Sequence, residues 1–209
     1  MKRLPFVIAV LCASIAATRN KPGVFDYYLL TLSWAPDYCS TPNADRNSKE
    51  CGTGNHVGFV VHGLWPQFNN GGYPKECAPP QPVASAIVNR MLAYIPSAGL
   101  IQHEWKEHGT CTGLDAATYF GLVRQAFDSV KIPDPYKSLN HSIQVQPADV
   151  ETSFAAANAS FPVGAFLVGC GHGQLSDVRI CFGKDVTPET CPVAEKDCTA
   201  TGLTMLGER

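Results

Sequence analysis

The stretch Val24 to Trp34, VFDYYLLTLSW, is dense in aromatic and apolar residues and reads as a buried strand. Outward from it, Ala35 to Asn55 is full of Pro, Asn, Asp, Ser and Gly. It reads as a loop, pinned if Cys39 and Cys51 pair. Val57 to His62 (VGFVVH) reads as a short second strand ending on a histidine, with Gly63 and Pro66 turning the chain sharply behind it. Further on the period changes. Val83, Ile87, Met91 and Tyr94 fall at helical spacing. Ala116, Tyr119, Phe120, Val123, Phe127 and Val130 repeat at three and four behind a capping Asp115. Pro147 to Ala157 carries proline in the first turn of another helix. Ala165 to Cys170 and Leu175 to Phe182 read as two strands joined by a glycine-rich turn, and the tail from Lys184 is polar and loop-like. With no repeat, linker or low-complexity tract, the pattern is that of one α+β domain.

The bulk numbers agree. A chain of 209 residues fits one domain with a substantial core, and 45% hydrophobic against 16% charged residues is a globular balance. A formal charge of −2 supplies no bulk positive field toward nucleic acid or membrane, so an RNA substrate would have to be held by a local site. Lys2 and Arg3, the apolar run from Leu4 to Ala13 and the small residues Ser14 to Ala17 read as a signal peptide over residues 1–17, leaving a domain over 18–209. The run is well short of the ~20 residues of a membrane span, and Leu11 before Cys12 is the wrong residue for lipoprotein processing. Export to the periplasm or the exterior is expected. Of nine cysteines, removal of Cys12 leaves Cys39, Cys51, Cys77, Cys111, Cys170, Cys181, Cys191 and Cys198. An even number in an exported chain points to four disulfides, with ~105 connectivities open on spacing alone. No Cys-x-x-Cys pair supports a structural zinc site.

Two segments carry chemistry. In Phe59-Val60-Val61-His62-Gly63-Leu64-Trp65-Pro66 a strand delivers a histidine beside a tryptophan on which a base could stack; the bland alternative is a core histidine and tryptophan. The second is His103-Glu104-Trp105-Lys106-Glu107-His108-Gly109-Thr110-Cys111. Zinc proteases place two histidines at i and i+4, ~40° apart around a helix. His103 and His108 stand at i and i+5, ~140° apart, and cannot chelate one ion from a regular helix. Metal-free RNA cleavage needs a base for the ribose 2′-hydroxyl, an acid for the departing 5′-oxygen and a donor for the phosphorane. Histidines, with ordinary pKa near ~6.5, suit both proton transfers.

These two segments, about forty residues apart and in this order, resemble the active-site segments of the ribonuclease T2 family, with the Asp26–Trp34 strand and the cysteine framework extending the likeness over most of the mature chain. The resemblance implies an antiparallel sheet flanked by helices and stapled by four disulfides. It implies a secreted endoribonuclease that cleaves single-stranded RNA through a 2′,3′-cyclic phosphate to 3′-phosphate ends, without metal or cofactor. His62 and His108 would be the acid/base pair, with His108 taking the 2′-proton and His62 protonating the leaving group in the usual assignment. Glu104 would orient or stabilise, His103 would contact the phosphate, and Trp65 and Tyr73 would line the base site. The implied pairing is Cys39–Cys51, Cys77–Cys111, Cys170–Cys198 and Cys181–Cys191. The family commonly places lysine directly before the second histidine; here that residue is Glu107, with Lys106 one position earlier. Either Glu107 points to solvent or turnover is weakened.

His56, His141 and His172 carry no partner pattern and read as surface or loop residues. Asn140-His141-Ser142 and Asn158-Ala159-Ser160 match the glycosylation acceptor pattern, which matters only in a eukaryote. No Gly-x-Ser-x-Gly elbow, Walker loop or dinucleotide fingerprint is present. A monomer acting on RNA, with no membrane partner, is expected. Two other classes remain: a binding or signalling protein on the same fold that has lost catalysis, which only Glu107 favours, and a zinc hydrolase, which the spacing disfavours.

Overall fold

The computed structural model describes residues 19–46 and 48–209. The signal-peptide segment, residues 1–17, lies outside them. In chain order the elements are β1 (Tyr27–Trp34), α1 (Ala35–Ser40), β2 (Phe59–Gln67), α2 (Ser85–Met91), α3 (Ala98–Glu107), α4 (Ala116–Ser129), β3 (Ile143–Val145), α5 (Pro147–Ala157), β4 (Phe166–Gly171), β5 (Gln174–Phe182) and β6 (Leu203–Met205). β1 lies between β2 and β5, antiparallel to both, and β4 pairs with β5. A short antiparallel β3–β6 ladder joins β5 through a single parallel pair, Gln174 with Thr204.

The largely apolar sequence of β1, broken only by Thr31 and Ser33, follows from burial on both faces. Leu30, Leu32 and Trp34 enter the main core with Val61, Leu64, Val178 and Ile180, where Ile101, Val123 and Phe154 of the helices close over them. Tyr27 and Leu29 point the other way, into a small cluster with Cys181, Trp65 and Cys191. Each large apolar side chain so buried contributes roughly 1.5–3 kcal/mol against leaving it in water. The capping Asp115 accepts from Thr118 N at 2.8 Å, and α5 begins on Pro147 as its sequence predicts.

Two readings of the sequence need correction. The segment Ala35–Asn55 is not all loop: Pro36 in the first turn starts α1, which ends beside Cys39 and its bridge to Cys51. Nor do Gly63 and Pro66 turn the chain. β2 continues through them to Gln67, since it forms an edge of the sheet, where a proline forfeits no ladder hydrogen bond. The second acceptor sequence is also committed elsewhere. Asn158 is buried, its Oδ1 accepting from Lys131 N at 2.7 Å and its Nδ2 donating to Phe154 O at 2.8 Å. The other three bridges are Cys77–Cys111, Cys170–Cys198 and Cys181–Cys191, the pairing the resemblance implies.

Candidate active site

Val61 and Leu64 both belong to the core, although residues three apart face opposite sides of a regular strand. The chain resolves this with a bulge. Thr31 pairs with Gly63 and Leu32 with Val61, so His62 is the extra residue. A bulge re-aims the side chain it carries. Here it turns His62 to the outer face, half-exposed, where its Nδ1 lies 3.1 Å from Ser33 Oγ. Past the bulge the alternation resumes in a new phase that sends Trp65 outward.

α3 packs beside β2 and supplies the second segment. It ends at Glu107, and His108 leaves the helical spiral as its C-cap with φ −114°. The ~140° separation of the two histidines on a regular helix therefore does not apply. His103 lies on the exposed side of α3. Glu104 is 1% exposed. Its Oε2 accepts from Trp65 Nε1 at 2.7 Å, and its Oε1 has no hydrogen bond and lies 3.7 Å from His62 Nε2. Gly63 makes this approach possible, since a Cβ there would overlap Glu104 Oε2 and Trp65 Nε1. The Trp65 ring is the hub: His108 stacks on it at 5.2 Å between centroids and His62 meets it edge-on at 5.3 Å.

A stitched loop completes the wall. Glu76 N donates to Glu107 O at 2.9 Å, Cys77 N to Thr110 Oγ1 at 3.2 Å, and Cys77 is bridged to Cys111. This sets the Tyr73 ring, half-exposed, 5.5 Å from that of His108. Lys106 is held by Glu76 at 2.8 Å. On the other side of His62, Ser33, Tyr38, Glu50, Val61 and Leu100 line a cavity of about 190 Å³. Neither Ser33 nor this cavity is visible in the sequence, because strand register and the β2–α3 packing create them.

The electrostatics are asymmetric. Burial pushes the Glu104 carboxyl up to about 8, against the pull of the Trp65 hydrogen bond and with help from the Glu107 charge. Burial, with the charges of His103 and His62, pushes His108 down to about 3. Burial also lowers His62, but the negative charge of Asp177 opposes that fall. Glu104 and His62 are close enough for an ion pair, yet both shifts favour their neutral forms. The 3.7 Å contact is therefore a neutral pair, with the proton on Glu104, rather than an ion pair. Among the described residues no group of three or more His, Cys, Asp or Glu is arranged to hold a metal ion.

The family model of the ribonuclease T2 family matches residues 25–191. A ribonuclease of Aeromonas hydrophila is 38% identical over 126 residues, 58% of this chain and 56% of that protein. A probable ribonuclease of Haemophilus influenzae is 32% identical over 128 residues, 56% of this chain and 47% of that protein, so the chain spans about half the length of each. Ribonuclease DdI of Dictyostelium discoideum is 29% identical over 182 residues, 79% of this chain and 77% of that protein. Among solved structures, the RNase-related protein from Calystegia sepium superposes with a TM-score of 0.69 at 20% identity, covering 88% of this chain and 97% of that one. Its likeness speaks for the fold: mixed α+β, with a central sheet flanked by helices. From its matched sequence and its architecture, this chain belongs to the ribonuclease T2 family.

Proposed function

We propose that this chain is a secreted endoribonuclease that cleaves single-stranded RNA by metal-free transesterification, through a 2′,3′-cyclic phosphate to a 3′-phosphate. The observation that carries this reading is the convergence of His62, His108 and Glu104 on Trp65. Two histidines flank one aromatic face, and their surroundings push them apart in proton affinity, as an acid and a base require. His108, neutral, takes the 2′-proton. His62, within the field of Asp177 and with the charge of the bound phosphodiester added, carries the proton that goes to the 5′-oxygen. A bound phosphodiester raises all three groups by its own charge. Glu104, protonated in this burial, presents a hydrogen-bond donor rather than a like charge to the phosphate, and His103 adds a cation or donor at the rim. Trp65 and Tyr73 offer stacking faces for the base on the His108 side. The cavity beside His62 takes the nucleoside that leaves.

Four disulfides support an oxidising destination, outside the cytoplasm or in the periplasm, with residues 1–17 as the export signal and 18–209 as the catalytic domain. No described helix is long and apolar enough to cross a membrane. The protein acts as a monomer with no cofactor in this reading.

The test uses oxidised protein on a defined single-stranded RNA in excess EDTA, with cyclic-phosphate ends resolved and His62→Ala and His108→Ala alongside. Cleavage in chelator, lowered by at least ~10²-fold in each variant, is expected from loss of acid or base. No cleavage by the unmodified chain between about pH 4 and 8, the range in which histidines operate, would sink the enzyme reading and leave a binding module.

A further inference from the structure

Ser33, which holds the ring of His62, stands directly opposite Asp177 in the β1–β5 ladder. Directly opposed residues of an antiparallel pair share a face with Cβ atoms ~4.5–5.5 Å apart, so the Asp177 carboxylate lies on the side of the sheet that carries His62. Its position is built in. On the far side β5 pairs Asp177 with Gly169, and a Cβ at Gly169 would overlap both carboxylate oxygens. Ser176 Oγ donates to Asp177 Oδ2 at 2.7 Å. Arg179 Nε lies 3.0 Å from Oδ1, out of line for a hydrogen bond, and Arg179 Nη1 lies 3.9 Å from Glu195 Oε2. One guanidinium thus faces two carboxylates, and the cluster keeps net negative charge beside β1.

We propose that Asp177 is a positioning residue for His62: its carboxylate, seated over Gly169 and across the ladder from Ser33, is the anion that faces this imidazole as it serves as the proton donor. The inference rests on His62 being the acid of the proposed reaction. The charged and titratable groups around His62 are Glu104 and His103 from α3, His108 from its C-cap, Tyr38 from α1 and Glu50 across the cavity, and Asp177 from β5. Of these, Glu104 is held neutral by burial, and His103 opposes charge on His62, as any cation would. Asp177 is the group whose charge raises His62 against burial, and it also reaches Asp37 on α1.

The test is a titration of the full chain labelled with carbon-13 at the histidine Cε1, with His62→Gln assigning the resonance, together with pH–rate profiles on the defined RNA. In Asp177→Asn, His62 is expected to titrate ~0.5–1 pH unit lower, and kcat to fall about three- to tenfold on the alkaline limb alone. KM should change by less than about twofold, within the scatter of a remote substitution. Asp177→Glu, which keeps the charge, should recover at least half of the shift. Gly169→Ala, which displaces the carboxylate without altering it, should reproduce the loss and serves if Asp177→Asn does not fold. An unmoved His62 titration, or a kcat loss uniform across pH, overturns the proposal. Because the titration needs no turnover, failure to cleave RNA would remove the ribonuclease reading while leaving the Asp177–His62 coupling decided on its own.

Discussion

Glu107 stands where the resemblance to the family places a lysine, and its charge is felt inside the site, since it helps hold Glu104 up. A carboxylate there opposes the charge that builds on a phosphorane. Lys106 does not replace the missing cation, because it is paired with Glu76 at 2.8 Å. Reversing one partly screened charge is worth on the order of 1 kcal/mol, about fivefold in rate. Glu107→Lys is therefore expected to raise kcat/KM three- to tenfold, and Glu107→Gln by about half as much on a logarithmic scale. Initial rates at two ionic strengths check the cause: the gain should shrink in high salt. A gain of nothing at low salt would place Glu107 outside the field of the reacting phosphate.

Between β2 and α3, position is set by one bulge and one bridge. The bulge aims His62, while Cys77–Cys111 ties the Tyr73 loop to the turn that carries His108. Closing a loop whose ends are 34 residues apart stabilises by about 4 kcal/mol in the chain-entropy view. The double variant Cys77→Ser, Cys111→Ser is expected to lower the thermal midpoint by roughly 8–15 °C, at ~2–4 °C per kcal/mol for a domain of this size. Below its own midpoint it should also lose activity, as Tyr73 and His108 part. Unchanged kcat in the folded variant would show that hydrogen bonds from Glu76 and Cys77 suffice to hold the loop. Much of this level was legible in the sequence. The apolar run of β1, the helical period behind Asp115 and the proline opening α5 are local signals, and they locate their elements to within a few residues. The bulge was not legible, because Gly63 and Pro66 look like a turn until β1 is laid beside them. The catalytic candidates His62, Glu104 and His108 announce themselves by residue type. Ser33 and Asp177 do not, since a serine and an aspartate acquire meaning only through a register between distant strands.

Across the whole molecule, buried ionisable groups pull stability in opposite directions with pH. Burial raises Glu104 from 4.5 to about 8, and burial together with the hydrogen bond and charge of Asp197 raises Glu151 to about 7. Both are raised acids, so the folded chain binds their protons more tightly than the unfolded chain. Their contribution is complete below about pH 4.5 and is lost as pH rises through 7 and 8. His108, lowered from 6.5 to about 3, and His62, lowered less, work the other way. Their contribution is complete above 6.5 and is lost as pH falls toward 3. Between 4.5 and 6.5 the two pairs nearly cancel. Stability should therefore form a plateau on the acidic side of neutrality, falling on both flanks. The expected thermal midpoint drops by roughly 2–8 °C from pH 6.5 to 8, from loss of about one to two kcal/mol after screening. The combined substitution Glu104→Gln, Glu151→Gln should leave that alkaline flank flat while keeping the acid flank, because the histidines remain. Calorimetry at half-unit steps from pH 3 to 9 decides the matter. A midpoint that climbs between pH 6.5 and 8 in the unmodified chain would mean that Glu104 and Glu151 are ionised in the folded state, and with that the neutral Glu104 of the proposed mechanism would fall.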